Sequence, residues 1–228
     1  SDKTVIVSPF HLNKIHRPQA VKALAGGKGC NVARALKRLG DTPVVTGWVG
    51  GSAGQFIENG LHDEGIQTSF VHTDFESRTC LSILDAENNT MTEIYENGEA
   101  VPPEKVEELK AHFRAIVGDY AAVTLSGSLP QGVPQNFYAD LIAMARDANV
   151  PVILDSSRDA LKHGVEARPF LIKPNNDEVA VLVGRELNGM ADYAVAARDI
   201  SQRYNTIVVL SLGPDGALAV NGQNAVHV

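Results

Sequence analysis

The sequence predicts an α/β protein, a mostly parallel sheet covered by helices with a small β-layer beside it. Three observations carry that prediction. Strand-like and helix-like segments alternate along most of the 228 residues. The strands of the second half are near-continuous apolar runs, Val152-Ile153-Leu154 and Ile207-Val208-Val209-Leu210, as expected where both faces of a parallel sheet are covered. Between residues 67 and 96 the alternation stops, and three strand-like segments follow one another with no helix between them.

Taken in order, segments 3–8 and 16–24 read as strands. Helix 29–40 puts Val32, Leu36 and Leu39 on one face, and Gly40 stops it. Val44 to Val49 reads as one buried strand, and 53–64 as a helix ending near Gly65. Segments 67–73, 78–85 and 90–96 read as strands, the last two joined by the polar turn Glu87-Asn88-Asn89. The hairpin 78–96 is expected to pair with the N-terminal strands, giving the small β-layer from about 3–24 and 67–98. Helix 103–117 buries Val106, Leu109, Phe113 and Ile116, and helix 135–148 buries Phe137, Leu141 and Met144. Strands 121–125, 151–155, 169–173 and 206–211 alternate with helices 176–184 and 190–204, and a hairpin 216–228 closes the pattern. Four loops that follow strands carry small or polar residues: Ser126-Gly127-Ser128, Asp155-Ser156-Ser157, Lys173-Pro174-Asn175 and Ser211-Leu212-Gly213. Ligands of open α/β sheets sit at the carboxyl ends of strands, so these loops are expected to line one crevice.

Composition narrows the class. Hydrophobic residues make up 44%, enough for a full core, and the net charge of −7 argues against a nucleic-acid or membrane-surface binder. Two cysteines, Cys30 and Cys80, are no disulfide framework and fit a reduced cytoplasmic setting. No apolar run is long enough to span a bilayer, and Ser1-Asp2-Lys3-Thr4 is no signal peptide. The chain starts without Met and runs at once into Val5-Ile6-Val7, so it is expected to begin inside a longer protein.

The segment Gly26-Gly27-Lys28-Gly29-Cys30-Asn31 leads straight into a helix. Glycines let backbone approach a ligand, helix-start amides attract anions or hydroxyls, and Asn31 can both donate and accept. On these residues alone the segment is either a ligand loop or a tight turn capped by Asn. A dinucleotide site fits poorly, because the next strand ends in Trp48-Val49-Gly50-Gly51 without the acidic residue that would hold a ribose. A Walker A loop fails on spacing. Plainer readings stand beside other candidates. Glu178 suits a helix dipole, Arg78 an edge strand, Asp155 a helix cap, Ser211-Leu212-Gly213 a hairpin lead-in, and Cys30 a small packed residue rather than a reactive thiol. The seven His show no metal-ligand spacing.

Residues 26–40, ending Asn31-Val32-Ala33-Arg34-Ala35-Leu36-Lys37-Arg38-Leu39-Gly40, resemble the first signature of the ribokinase-like sugar kinases. Within them the chain is most similar to the phosphofructokinase-B group, of the 1-phosphofructokinase and tagatose-6-phosphate kinase type. Further segments agree in order: Leu125 to Val133 resembles the group's substrate loop, Leu154 to Ser157 and Ile172 to Glu178 its nucleotide-side segments, and Val209 to Ala217 its ATP loop. The resemblance implies a three-layer fold with a central mostly parallel sheet and a small β lid. It implies that Asp2, Gly26, Gly27, Asn31 and Ser128 bind the sugar, although the Asn-Pro that precedes this Asp in the family is missing. Arg78 would grip the substrate phosphate with Lys28 assisting. Lys14, Lys173, Asn175, Ser211, Gly213 and Gly216 would contact ATP, and Glu178, in Asn175-x-x-Glu178, would support Mg²⁺ through its water shell. The implied activity is ATP-dependent phosphorylation of fructose 1-phosphate, tagatose 6-phosphate or fructose 6-phosphate to a bisphosphate by a homodimer joined through the lid. A kinase of an unphosphorylated sugar or nucleoside, and a non-catalytic sugar-phosphate binder, are the rival readings. The family's second signature, whose Gly-Ala-Gly-Asp ends in the proton-accepting Asp, does not occur among these residues, so no catalytic residue is assigned. That segment is expected beyond Val228, and these residues alone are expected to bind a phosphosugar weakly and catalyse little.

Overall fold

The first strand decides how the N-terminal half is assembled, because it pairs on both sides. In the computed structural model, which describes residues 1–228, the elements of the first half are β1 (Asp2–Val7), β2 (Ala20–Leu24), α1 (Lys28–Arg38), β3 (Val44–Val45), β4 (Trp48–Gly50), α2 (Gly51–Asp63), β5 (Gln67–Thr68), β6 (Val71–Thr73), β7 (Cys80–Asp85), β8 (Thr90–Tyr95) and α3 (Pro103–Ile116). β1 runs antiparallel to β2, from Asp2↔Leu24 to Ile6↔Ala20, and parallel to β7, from Asp2↔Cys80 to Val7↔Asp85. β8 completes this four-stranded sheet, in the order β2-β1-β7-β8. Contacts divide the chain into two compact units, Ser1–Leu109 with Pro130–Gly132, and Lys110–Leu129 with Val133–Val228. Pro130–Gly132 is tied into the first unit where Val101 N–H donates to the Gln131 carbonyl.

Four details of the first unit differ from the sequence prediction. The strand expected over Val44 to Val49 is broken at Gly47, whose φ of 151° no strand residue with a side chain adopts comfortably. The halves β3 and β4 pair in parallel with β5 and β6, so residues 67–73 do not join the four-stranded sheet. The third difference is the buried face of α1. Cys30 and Ala33 are its buried residues, and Leu39 is 84% exposed, because the helix ends at Arg38 and leaves Leu39 as the cap. Small side chains on that face pack into a core of Ala25, Val45, Val49, Ile57, Leu61 and Ile66. The strand expected from residue 16 begins only at Ala20, where the ladder to β1 begins.

The second unit carries β9 (Val123–Ser126), α4 (Phe137–Asp147), β10 (Val152–Asp155), α5 (Arg158–Glu166), β11 (Leu171–Ile172), α6 (Asn176–Val183), α7 (Gly189–Tyr204), β12 (Ile207–Ser211), β13 (Ala217–Asn221) and β14 (Asn224–His227). These strands form one six-stranded sheet in the order β14-β13-β12-β11-β10-β9. β9 to β12 are parallel, and β13 and β14 turn back antiparallel. In the apolar runs read as buried strands, Val152, Leu154, Val208 and Leu210 are buried and Ile153, Ile207 and Val209 are half-buried. Helix α5, whose extent the prediction left undefined, buries Ala160, Leu161, Gly164 and Val165. Its start is weakly marked in sequence, since Ser157 makes no side-chain cap. No helix is long and apolar enough to cross a membrane.

Candidate active site

In the first unit the glycine-rich loop is fitted around Asp2. The β1–β2 ladder ends at the pair Asp2↔Leu24, and the chain turns there through Ala25 and Gly26 into α1. A Cβ on Gly26 would fall on the Asp2 carboxylate. Glycine is therefore required here by the close approach of the acid. Gly27, with φ 124°, precedes α1 and accepts from Asn31 N–H at 3.1 Å. Lys28 opens the helix and is exposed. Cys30 is buried, and burial pushes its thiol pKa up, which leaves it protonated and packed rather than reactive.

Arg34 organises this loop, and the sequence prediction did not single it out. Its Nε and Nη2 form a forked pair with Glu64 at 2.5 and 2.8 Å. Nη2 also donates to the Ala25 carbonyl at 2.7 Å, and Nη1 to Oδ1 of Asn31 at 3.0 Å. The Arg34 side chain is only 12% exposed, and its hydrogen bonds hold the Glu64 carboxyl below the usual range. Because Oδ1 of Asn31 faces Arg34, its amide protons are left for an incoming oxygen. One signal was readable: a spacing of three on a helix puts Arg34 over Asn31. The partner Glu64, at the end of another helix, leaves no such trace.

Arg78 lies just before β7, and the parallel register of β1 and β7 brings its main chain beside Ser1, whose main-chain nitrogen donates to the Arg78 carbonyl at 2.8 Å. Its side chain is exposed. Asp2, the glycine loop, Asn31 and Arg78 thus belong to one unit. Lys14 is in that unit too, exposed in the loop between β1 and β2, beyond the opposite end of β1 from Asp2. The other residues expected to contact ATP are in the second unit.

There the segments 173–178 and 211–216 are locked together. Ser211 N–H donates to the Pro174 carbonyl at 3.0 Å, and Asn175 and Ser211 form a parallel bridge. Lys173 pairs with Asp155 at 3.4 Å, and its N–H donates to the Leu154 carbonyl. Asn175 and Glu178 form a reciprocal cap on α6: Glu178 N–H donates to Asn175 Oδ1 and Asn175 N–H to Glu178 Oε2, both at 2.9 Å. Gly213, φ 62°, and Gly216, φ 85°, bracket the turn after β12. A Cβ on Gly216 would fall on the Val228 carbonyl oxygen, so this glycine closes the hairpin as well. Ser128 is exposed after β9, and the preceding Gly127 carbonyl accepts from Ser156 Oγ at 2.9 Å and Tyr138 Oη at 3.1 Å. Burial, then the nearby Asp155 charge, pushes the Tyr138 hydroxyl up to about 12, so it stays a donor.

An open cavity of about 560 Å³ adjoins this turn, lined by Asn176, Met190, Tyr193, Leu212, Asp215 and His227 among others. Asn176 Oδ1 is buried without a hydrogen-bond partner. A flat apolar ligand fits this lining, as a nucleotide base would. The carboxylate of Glu178 retains a free oxygen, and no group of three or more His, Cys, Asp or Glu residues converges. That donor set suits Mg²⁺ held mainly by water and phosphate, not a protein cage.

The family model described as pfkB family carbohydrate kinase matches residues 4–228. Phosphofructokinase-2 from Escherichia coli, solved with potassium, is 30% identical with a TM-score of 0.92, over 100% of this chain and 74% of that one. The same enzyme in complex with fructose-6-phosphate matches with a TM-score of 0.91, 30% identity and coverage of 100% and 75%. A possible 1-phosphofructokinase from Thermotoga maritima is 26% identical with a TM-score of 0.89, over 98% of this chain and 72% of that one.

Proposed function

The chain belongs to the pfkB family of carbohydrate kinases and has their ribokinase-like α/β fold, and on that premise we propose that it phosphorylates a hexose phosphate with ATP, giving a bisphosphate. The observation that carries the phosphosugar reading is the arrangement at the start of β1. Asp2 is closed against Gly26, and Arg78 sits one strand away on the same sheet. The acid and the amide of Asn31 suit sugar hydroxyls, and the Arg78 guanidinium suits a phosphate the sugar already carries, with Lys28 adding charge. Ser128, in the second unit, is the residue of that unit whose family counterpart binds the sugar. Fructose 1-phosphate, tagatose 6-phosphate and fructose 6-phosphate are the substrates this set fits.

On the nucleotide side, Lys173, Asn175, Ser211, Gly213 and Gly216 would hold ATP, with the cavity beside Asn176 receiving the base. Glu178 would hold Mg²⁺ through water, and the ion would neutralise charge on the transferred phosphoryl group. Phosphoryl transfer is mostly positioning and charge neutralisation, and the residues named supply positioning. None of them is assigned the role of taking the proton from the attacking hydroxyl. The edge strands β2 and β8 expose Val21, Leu24, Met91, Ile94 and Tyr95, which supports a homodimer joined through this sheet. The reading includes a cytoplasmic setting.

Calorimetry with the three phosphosugars and with fructose tests the proposal. Arg78→Ala is expected to weaken phosphosugar binding about tenfold or more, the worth of a charge-assisted contact, and to leave fructose binding nearly unchanged. Equal affinity for fructose and every phosphosugar in the unaltered chain would sink it.

A further inference from the structure

Residues 74–79 join β6 to β7 and carry Arg78. They have no strand or helix of their own, yet their main chain is fastened on both sides of that residue. Upstream, the Glu76 carboxylate caps α2. Its Oε2 accepts from Ser52 N–H at 3.1 Å, and its Oε1 accepts a shorter bond from Ala53 N–H. Ser77 repeats the attachment in both directions: its N–H donates to the Gly50 carbonyl at 2.9 Å, and its Oγ accepts from Gly50 N–H at 3.0 Å. Glycines make the room. A Cβ on Gly50 would fall on the Phe75 carbonyl oxygen, and one on Gly51, φ 62°, on the Glu76 carboxylate. Downstream, the Arg78 carbonyl accepts from the Ser1 main-chain nitrogen, and Thr79 N–H donates to Glu96 Oε2 at 2.7 Å.

A helix start is usually capped by the residue just before it, and α2 has only Gly50 there, with no side-chain cap. Its cap comes from a residue 24 positions along the chain from Ser52. The negative charge sits at the positive end of the helix dipole and satisfies two amides the first turn leaves open. Helix start and Arg78 are thereby made interdependent. We propose that Glu76 is a positioning residue for Arg78, holding the chain two residues upstream so that the guanidinium is in place when the phosphate of the sugar arrives. The inference rests on the reading of Arg78 as the phosphate grip. A main chain already held need not be ordered on binding, and a grip on a non-reacting phosphate appears in affinity.

Glu76→Gln and Arg78→Ala, each titrated with fructose 6-phosphate and with fructose, test the clamp. Glutamine keeps the size and one acceptor but drops the charge. In Glu76→Gln, fructose 6-phosphate is expected to bind about three- to tenfold more weakly, with fructose unchanged. Amide exchange at Ser52 and Ala53 should quicken. Arg78→Ala should erase the preference for the phosphosugar. If Arg78→Ala erases it and Glu76→Gln keeps it, Glu76 has no positioning role and the reading of Arg78 stands. If Arg78→Ala keeps it, both fall. An equal loss for both sugars in Glu76→Gln makes Glu76 merely structural and also overturns the inference. Should that variant not fold, Ser77→Ala removes only the Oγ contact, and a preference unchanged there while Gly50 exchange quickens counts against the clamp.

Discussion

In the second unit the candidate residues stand where backbone pairing puts them, whereas in the first they are held by side chains reaching across long stretches of sequence. Asn175 and Ser211 meet because β11, which Asn175 follows, and β12, which Ser211 ends, are neighbours in a six-stranded sheet, and the cap between Asn175 and Glu178 spans three residues. The first unit has only the four-stranded sheet and two pairs of short strands. Its loop is fixed by Arg34 reaching to Glu64, and its phosphate arm by Glu76 reaching to α2. The difference teaches where each half is vulnerable. A ladder spreads placement over many bonds, and a side-chain staple concentrates it in one residue.

Arg34→Ala should do the most damage. It leaves the Glu64 carboxylate, the Ala25 carbonyl and Asn31 without their partner, and losing this set of charge-assisted hydrogen bonds beside an exposed carboxylate costs about 2 kcal/mol. Urea unfolding measures it, and Arg34→Lys should recover little, because an ammonium cannot reproduce the fork. A cost no larger than that of a surface ion pair would remove the contrast between the units. Asn175→Ala should cost less, about 1 kcal/mol for a lost helix cap, since the strands around it stay paired. If its destabilisation rivals that of Arg34→Ala, the second unit is no less dependent on single side chains.

The smallest effect is acid lability at the β7–β8 turn. The Asn88 side chain, then the Phe10 amide, hold the Asp85 carboxyl down at about 2. Its pKa is thus lower folded than unfolded, so its contribution is complete at neutral pH and is lost as pH falls from about 4 towards that value. Amide exchange at Glu87 and Asn88 should quicken in that window, and Asp85→Asn should flatten the dependence. Exchange that stays constant through it would show that this staple carries no weight.

The same contrast explains what was legible in the sequence. Strands and helices of the second unit follow one another in the order they pack, so β12 at Ile207–Ser211 lies within the predicted 206–211. The glycine loop was legible as glycines, but its reason was not. Gly26 must lack a side chain because Asp2 lies against it, a contact that only the β1–β2 register creates. The break at Gly47 hid inside an apolar run, where β propensity outweighs a single glycine. Arg34–Glu64 and Glu76 were invisible because charged residues on helices and loops read as solvated surface until their partners are in space. Leu39 misled in the opposite sense: its spacing fits the helical stripe, but the helix stops one residue short of it.

β1 lies between a neighbour that follows it closely in sequence and one that arrives much later. During synthesis it can close on β2 at once, which brings Asp2 to the glycine loop. Its pairing with β7, from Asp2↔Cys80 onward, waits until most of the first unit has been made. Closing the longer loop costs more chain entropy and slows the step. The expected order of assembly is hydroxyl contacts first and the arginine arm last, and pulse-labelled exchange at the β1–β2 and β1–β7 ladders can time the two events. Until the second ladder zips up, a nascent chain would carry β1 with one side unpaired, an open edge on which another chain could pair.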